Sequence, residues 1–161
     1  MGRTAWVETF LHQHKMFLPA AQRENVFNYN LAAFYYQTQA YDQAVELLQS
    51  VTFTDPYLDI NGRIILLKIY YYQENYFSFY YFLDAFKIGL KRNRDVATPY
   101  RTAIHTFLGL FRRLAQLRER WEHQTKTKRR TNYDKLHDRI QNAPNCFDQR
   151  WLKGEIEKRK P

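Results

Sequence analysis

The stretch KIYYYQENYFSFYYFLDAF, Lys68 to Phe86, holds ten aromatic residues in 19 positions. Aromatic side chains favour strands by propensity, and clustered rings also make base-stacking platforms. Period decides between these readings. Tyr76, Phe79, Leu83, Phe86 and Leu90 recur at spacings of 3, 4, 3 and 4, which is one face of a helix. Just upstream, Ile60, Ile64, Leu67 and Tyr71 recur at 4, 3 and 4. The polar break Gln73-Glu74-Asn75 parts the two runs, so the spacing predicts a helical hairpin over 58–73 and 76–92. Large clustered rings are usually buried, and only Lys68 and Lys87 supply cations nearby, so the rings read as core. Tyr70, Tyr71 and Tyr72 are consecutive and cannot share a face, so a minority of the rings must point outward.

The same design occurs upstream. A helix over 23–37 carries Phe27, Leu31, Phe34 and Tyr35, and after a short polar break Tyr41, Ala44, Leu47 and Leu48 line the next. Sliding the chain by 35 places aligns Leu31 with Leu66, Tyr35 with Tyr70, Tyr36 with Tyr71, Tyr41 with Tyr76 and Leu48 with Leu83. A period of this size signals stacked supersecondary units.

NLAAFYYQTQAYDQAVELL, followed by Asp55-Pro56, resembles a tetratricopeptide repeat. Leu31, Tyr35, Ala44 and Pro56 stand at the motif's positions, while Asn28 replaces its Trp, Ala32 its Gly and Leu48 its Phe. The second unit keeps Leu66, Tyr70 and Leu83 but puts Phe79 at the small-residue position and Lys91 at the proline. The resemblance covers residues 24–92, and LLKIYYYQENYFSFYYFLDAFKIGLKRN is also similar to segments of larger, uncharacterised bacterial helical-repeat proteins. It implies that first helices line a concave groove, which nominates Tyr29, Ala33, Tyr36, Gln37, Ile64, Lys68, Tyr71 and Tyr72 as peptide-binding positions. Asn30 and Lys68 are similar to parts of the carboxylate clamp of tetratricopeptide co-chaperones; the rest of its basic set is absent, and no clamp is expected.

The ends extend the helical pattern. Thr4 to Phe17 reads as a leading helix marked by Trp6, Phe10 and Phe17, packed either on the first hairpin or on an upstream unit. Thr98-Pro99 is a helix start, an N-cap residue and a proline, and Ala103, Phe107, Leu110, Leu114, Leu117 and Trp121 follow at 4, 3, 4, 3 and 4. Arg112, Gln116 and Arg120 fall on the opposite side. HQTKTKRRTN (123–132) reads as a polar connector to a helix marked by Tyr133, Leu136 and Ile140. Phe147 and Leu152 take staple positions around Asp148 at the start of a closing helix with Trp151 and Ile156 on its apolar side.

At 161 residues and 45% hydrophobic, the chain can bury a core, and five glycines and five prolines are too few for a many-stranded sandwich. The start lacks the pattern of a secretory signal, and no uncharged apolar run reaches the ~18 residues of a membrane span. The single Cys146 excludes an internal disulfide and points to a reducing, cytoplasmic compartment. Charge is uneven: residues 1–80 carry 5 Lys/Arg against 7 Asp/Glu, residues 81–161 carry 20 against 9.

Chemistry is sparse. The five glycines are isolated, so no phosphate-cradling loop is expected. His12 and His14 diverge on a helix, and His105, His123 and His137 lack ligand-spaced companions. Cys146 has no argued base and reads as a packed thiol beside Phe147. No catalytic residue, cofactor or metal is expected. Between Arg112 and Arg139 the net charge is +6, and Lys126, Lys128, Arg129 and Arg130 are the candidate anion contacts.

These readings predict an all-α protein of a single helical-repeat domain, 1–161: a right-handed superhelix of antiparallel helix hairpins, a tetratricopeptide-like α-solenoid. Its parts are a leading helix (4–22), repeat units (23–56 and 57–92), a basic helix pair (98–142) and a capping helix (147–159). The expected function is a non-catalytic scaffold for a protein or peptide partner, without a membrane. Nucleic-acid binding through the basic half, or service as the end-piece of a longer array, are the alternatives.

Overall fold

A computed structural model describes the backbone of residues 2–161 and the side chains of 5–161. Its described residues form eight α-helices and a 3-10 turn, with no strand. The helices are α1 (Gly2–His14), α2 (Arg23–Gln37), α3 (Tyr41–Ser50), α4 (Pro56–Tyr72), α5 (Tyr76–Arg92), α6 (Thr98–Glu119), α7 (Lys126–Gln141) and α8 (Gln149–Glu157); the turn, Lys15–Phe17, follows α1. The contacts divide the chain into two compact units, one ending at Gln73 and the other running Glu74–Pro161. The boundary falls in the polar break read from the sequence, so α4 and α5, the expected second hairpin, belong to different units.

In the N-terminal unit α2 and α3 form an antiparallel pair. Asn28, near the start of α2, donates to the hydroxyl of Ser50 at the end of α3 (3.3 Å), and the rings of Tyr36 and Tyr41 meet at the turn, 6.3 Å apart. Phe27, Leu31 and Ala32 of α2 and Ala44 and Leu48 of α3 are buried. Asp55 starts α4 by accepting from the backbone N–H groups of Tyr57 and Leu58 (2.8 and 2.9 Å), with Pro56 where a missing N–H costs nothing. The far end of α4 returns to the start of α3: Tyr72 stacks on Tyr41 (5.8 Å, 7°) and Gln73 donates to Asp42 (2.8 Å). Thus α4 runs parallel to α2.

The leading helix packs on the first hairpin. Glu8 accepts from the Tyr35 hydroxyl (2.9 Å) and Lys15 pairs with Glu24 (2.8 Å), which sets α1 antiparallel to α2. This pairing turns Val7 and Leu11 inward and leaves the expected apolar marks outside: Trp6 is 64% and Phe17 77% exposed, and Phe10 is also exposed. Trp6, Phe10 and His14 stack on one another along the outer face instead.

The C-terminal unit is built around α6, whose Ile104, Phe107, Leu108, Phe111 and Leu114 are fully buried. Phe79 of α5 meets Phe111 edge-on (4.9 Å), and Trp151 of α8 meets Phe111 from elsewhere (4.8 Å). Along α5, Phe79, Leu83, Phe86 and Leu90 are buried at the spacing read from the sequence, and Tyr76 is half-buried. Phe77 (86%) and Tyr81 (74%) are the rings that face out.

Three local expectations are corrected. The residue at the N-cap of α6 is Ala97; Thr98 is already helical, and its hydroxyl accepts from Arg101 (3.0 Å) instead of capping. The connector after α6 is short: Thr125 accepts from the Lys128 N–H (3.3 Å), so Lys126–Asn132 is the start of α7 and not a loop. Trp121 lies beyond α6, under the Arg129 guanidinium at 5.5 Å.

The turns that follow α2 and α4, 35 residues apart, share one backbone conformation. Gln39 and Glu74 both take left-handed conformations (φ 64° and 56°). The residues before them, Thr38 (φ −89°, ψ 4°) and Gln73 (φ −75°, ψ −1°), and after them, Ala40 (φ −79°, ψ 64°) and Asn75 (φ −79°, ψ 72°), match in turn.

Candidate functional site

In the N-terminal unit an open groove of about 670 Å³ lies between α1, α2 and α4. The face of α2 that forms one wall presents Asn30, Ala33, Phe34 and Gln37 at helical spacing, with Tyr36 at its edge. Val7 and Leu11 of α1 form a second wall, and Ile65 and Lys68 of α4 a third. Ala33 is the small residue that leaves room between them. Lys68 lines the groove although it is only 8% exposed. Asn30 is held by donation to the Val26 carbonyl (2.9 Å).

Of the eight positions nominated from the sequence, Ala33, Tyr36, Gln37 and Lys68 come together here. Tyr72 stands beside the groove, its ring 6.4 Å from Tyr36. Tyr29 lines a separate cavity of about 310 Å³ with Phe53, whose ring it meets edge-on at 5.9 Å. Burial there raises the Tyr29 phenol pKa above its usual range. Ile64 and Tyr71 are buried, because they sit on the Ile60–Ile64–Leu67–Tyr71 face that forms the core. The next residue, Ile65, faces the groove in place of Ile64. Val7, Leu11 and Ile65 line the groove without having been legible as such in the sequence, and for the two on α1 the placement follows from the Glu8–Tyr35 pair.

The four candidate anion contacts do not converge. All four lie in the first turns of α7, where successive side chains diverge by roughly 100°. Arg129 pairs with Glu122 (3.4 Å) and Arg130 with Asp134 (3.1 Å), while Lys126 and Lys128 are exposed. Cys146 is half-buried, and burial followed by the Asp148 carboxylate pushes its thiol up to about 11. Among the described residues, no three of His, Cys, Asp and Glu come close enough to hold a metal ion. No helix among them is long and apolar enough to cross a membrane.

Comparison with protein-family models, with curated proteins and with solved structures finds no match to this chain.

Proposed function

We propose that this chain is a tetratricopeptide-like, non-catalytic scaffold whose N-terminal unit holds a peptide segment of a cytoplasmic partner protein. The observation that carries the reading is the convergence of Ala33, Tyr36, Gln37 and Lys68 on one groove whose remaining walls are largely apolar. A few fixed polar groups in an apolar trough suit a segment that anchors by side chains and is oriented by its backbone. Support for the repeat comes from the matched turns at Gln39 and Glu74 and from the small residues Ala32 and Ala44, both fully buried on paired helices. In this reading the hairpins continue as a right-handed superhelix with α8 as its cap.

The test is selection of a displayed random 12-residue peptide library on the full chain. Enriched sequences with a shared pattern of apolar anchors support the reading, provided that Ala33→Trp, which fills the groove, no longer selects them. Absence of enrichment, or the same sequences emerging on Ala33→Trp, would overturn it.

A further inference from the structure

A second concavity lies wholly within the C-terminal unit, between α6 and α7. Two helical faces meet there with the same i, i+3, i+4, i+7 arrangement: Arg113, Gln116, Leu117 and Arg120 on one side, Asn132, Lys135, Leu136 and Arg139 on the other. Leu117 and Leu136 are buried and form the floor. The cations and amides rim a pocket of about 230 Å³, with Gln124 at its end.

No carboxylate lines this pocket. Among the described residues, Arg113, Arg120, Lys135 and Arg139 form no hydrogen bond or ion pair through their side chains. Five acids of the unit pair with other cations: Asp84 with Arg112, Glu74 with Arg118, Glu122 with Arg129, Asp134 with Arg130 and Glu155 with Lys158. Asp138 lines an adjoining cavity with Arg113 and Arg139 and does not line this pocket. Residues 74–161 hold 20 Lys/Arg against 10 Asp/Glu, so the unit as a whole carries an excess of cations, four of which line the pocket.

Arg113, Arg120, Lys135 and Arg139 are exposed residues set around one small space, where like charges repel and a multiply charged anion relieves that repulsion. Three guanidiniums offer planar forks suited to phosphate oxygens, and the lysine adds a point charge. The Asn132 amide donates to the Gln124 side-chain oxygen (2.7 Å), which leaves the Gln124 N–H groups for a ligand. No aromatic ring lines the pocket, so nothing there stacks a base. Its volume is below the usual range for a drug-sized ligand and suits a phosphoryl or diphosphoryl group.

We propose that the α6/α7 pocket binds the phosphate groups of a small anion through Arg113, Arg120, Lys135 and Arg139. This site is separate from the peptide groove and does not rest on it.

The experiment is isothermal titration of the full chain with sodium pyrophosphate at fixed ionic strength. Adenosine diphosphate and a 20-base-pair DNA duplex serve as further arms. Saturable pyrophosphate binding, weakened at least tenfold in Arg120→Gln/Lys135→Gln and unchanged in Lys126→Gln/Lys128→Gln, is the expected result. Circular dichroism checks that both variants stay folded, and Arg139→Lys, which keeps the charge, should bind with a smaller loss. Adenosine diphosphate binding more tightly than pyrophosphate assigns the source as a nucleotide; equal affinity assigns the phosphates alone. Absence of saturable binding, or equal affinity in both double variants, overturns the proposal. So does duplex binding that pyrophosphate fails to displace and that the Lys126/Lys128 variant abolishes.

Discussion

The ring of Phe53 lies over Gly62: a Cβ built on Gly62 would stand 2.7 Å from the tip of that ring. Gly62 is therefore the place where the α3–α4 loop presses on α4, and the Phe53 ring also meets Tyr29 edge-on. Gly62→Ala should destabilise the protein by about 1 kcal/mol, overpacking outweighing a helix-propensity gain of similar size. In a Phe53→Ala background the same change should become stabilising. Gly89→Ala, where nothing lies within 4 Å, should stabilise by about 0.5–1 kcal/mol. Urea midpoints of the four variants check the signs.

Gln39 takes a left-handed conformation that costs an L-residue about 1–2 kcal/mol. Glycine adopts it freely but loses more chain entropy on folding. Gln39→Gly should therefore raise stability by about 0.5–1 kcal/mol, read by chemical denaturation. Glu74 shares the conformation, but its carboxylate accepts from Arg118 (2.7 Å), so Glu74→Gly should gain less.

Lys126 and Lys128 occupy the first turn of α7, which contains no acidic residue. Cations at that end oppose the helix dipole. Lys126→Glu should stabilise α7 by about 0.3–1 kcal/mol at low salt, with the gain shrinking as salt is added. Hydrogen exchange of the α7 amides measures it directly.

Two groups give pH-dependent expectations. Burial, then Lys87, Arg101 and Lys91, lower the His105 pKa from 6.5. The fold thus favours neutral imidazole, and this contribution is complete above pH 6.5 and is lost as pH falls through the lowered value. His105→Gln should flatten that part of the stability profile between pH 7 and pH 5. Cys146, at about 11, should react slowly with a disulfide reagent at pH 8 while the protein is folded and rapidly once it is denatured.

Spacing made much of this architecture legible. Phe79, Leu83, Phe86 and Leu90 are buried where a period of 3.6 puts them, and one aromatic run reads as helix against its strand propensity. The pattern failed where polar contacts set a helix's rotation. On α1, Trp6 and Phe10 form a helical stripe as good as Val7 and Leu11, and contacts such as Glu8–Tyr35 and Lys15–Glu24 accompany the rotation that turns the second one inward. The run KTKRR looked like loop because its composition is polar, whereas the Thr125 cap makes it helix. At the groove, Ile64 and Tyr71 are buried, because their own spacing places them in the core. The basic pocket was present as the paired patterns Arg113-Gln116-Leu117-Arg120 and Asn132-Lys135-Leu136-Arg139, invisible to a search for contiguous charge.

The most direct test of the peptide groove is calorimetric titration of one library-selected peptide against the wild type, Ala33→Trp and Phe77→Ala. Phe77 is an exposed ring outside the groove and serves as the control surface. Ala33→Trp should weaken binding at least tenfold and Phe77→Ala should leave it unchanged. Wild-type affinity in Ala33→Trp, or loss of binding in Phe77→Ala alone, would contradict the peptide groove.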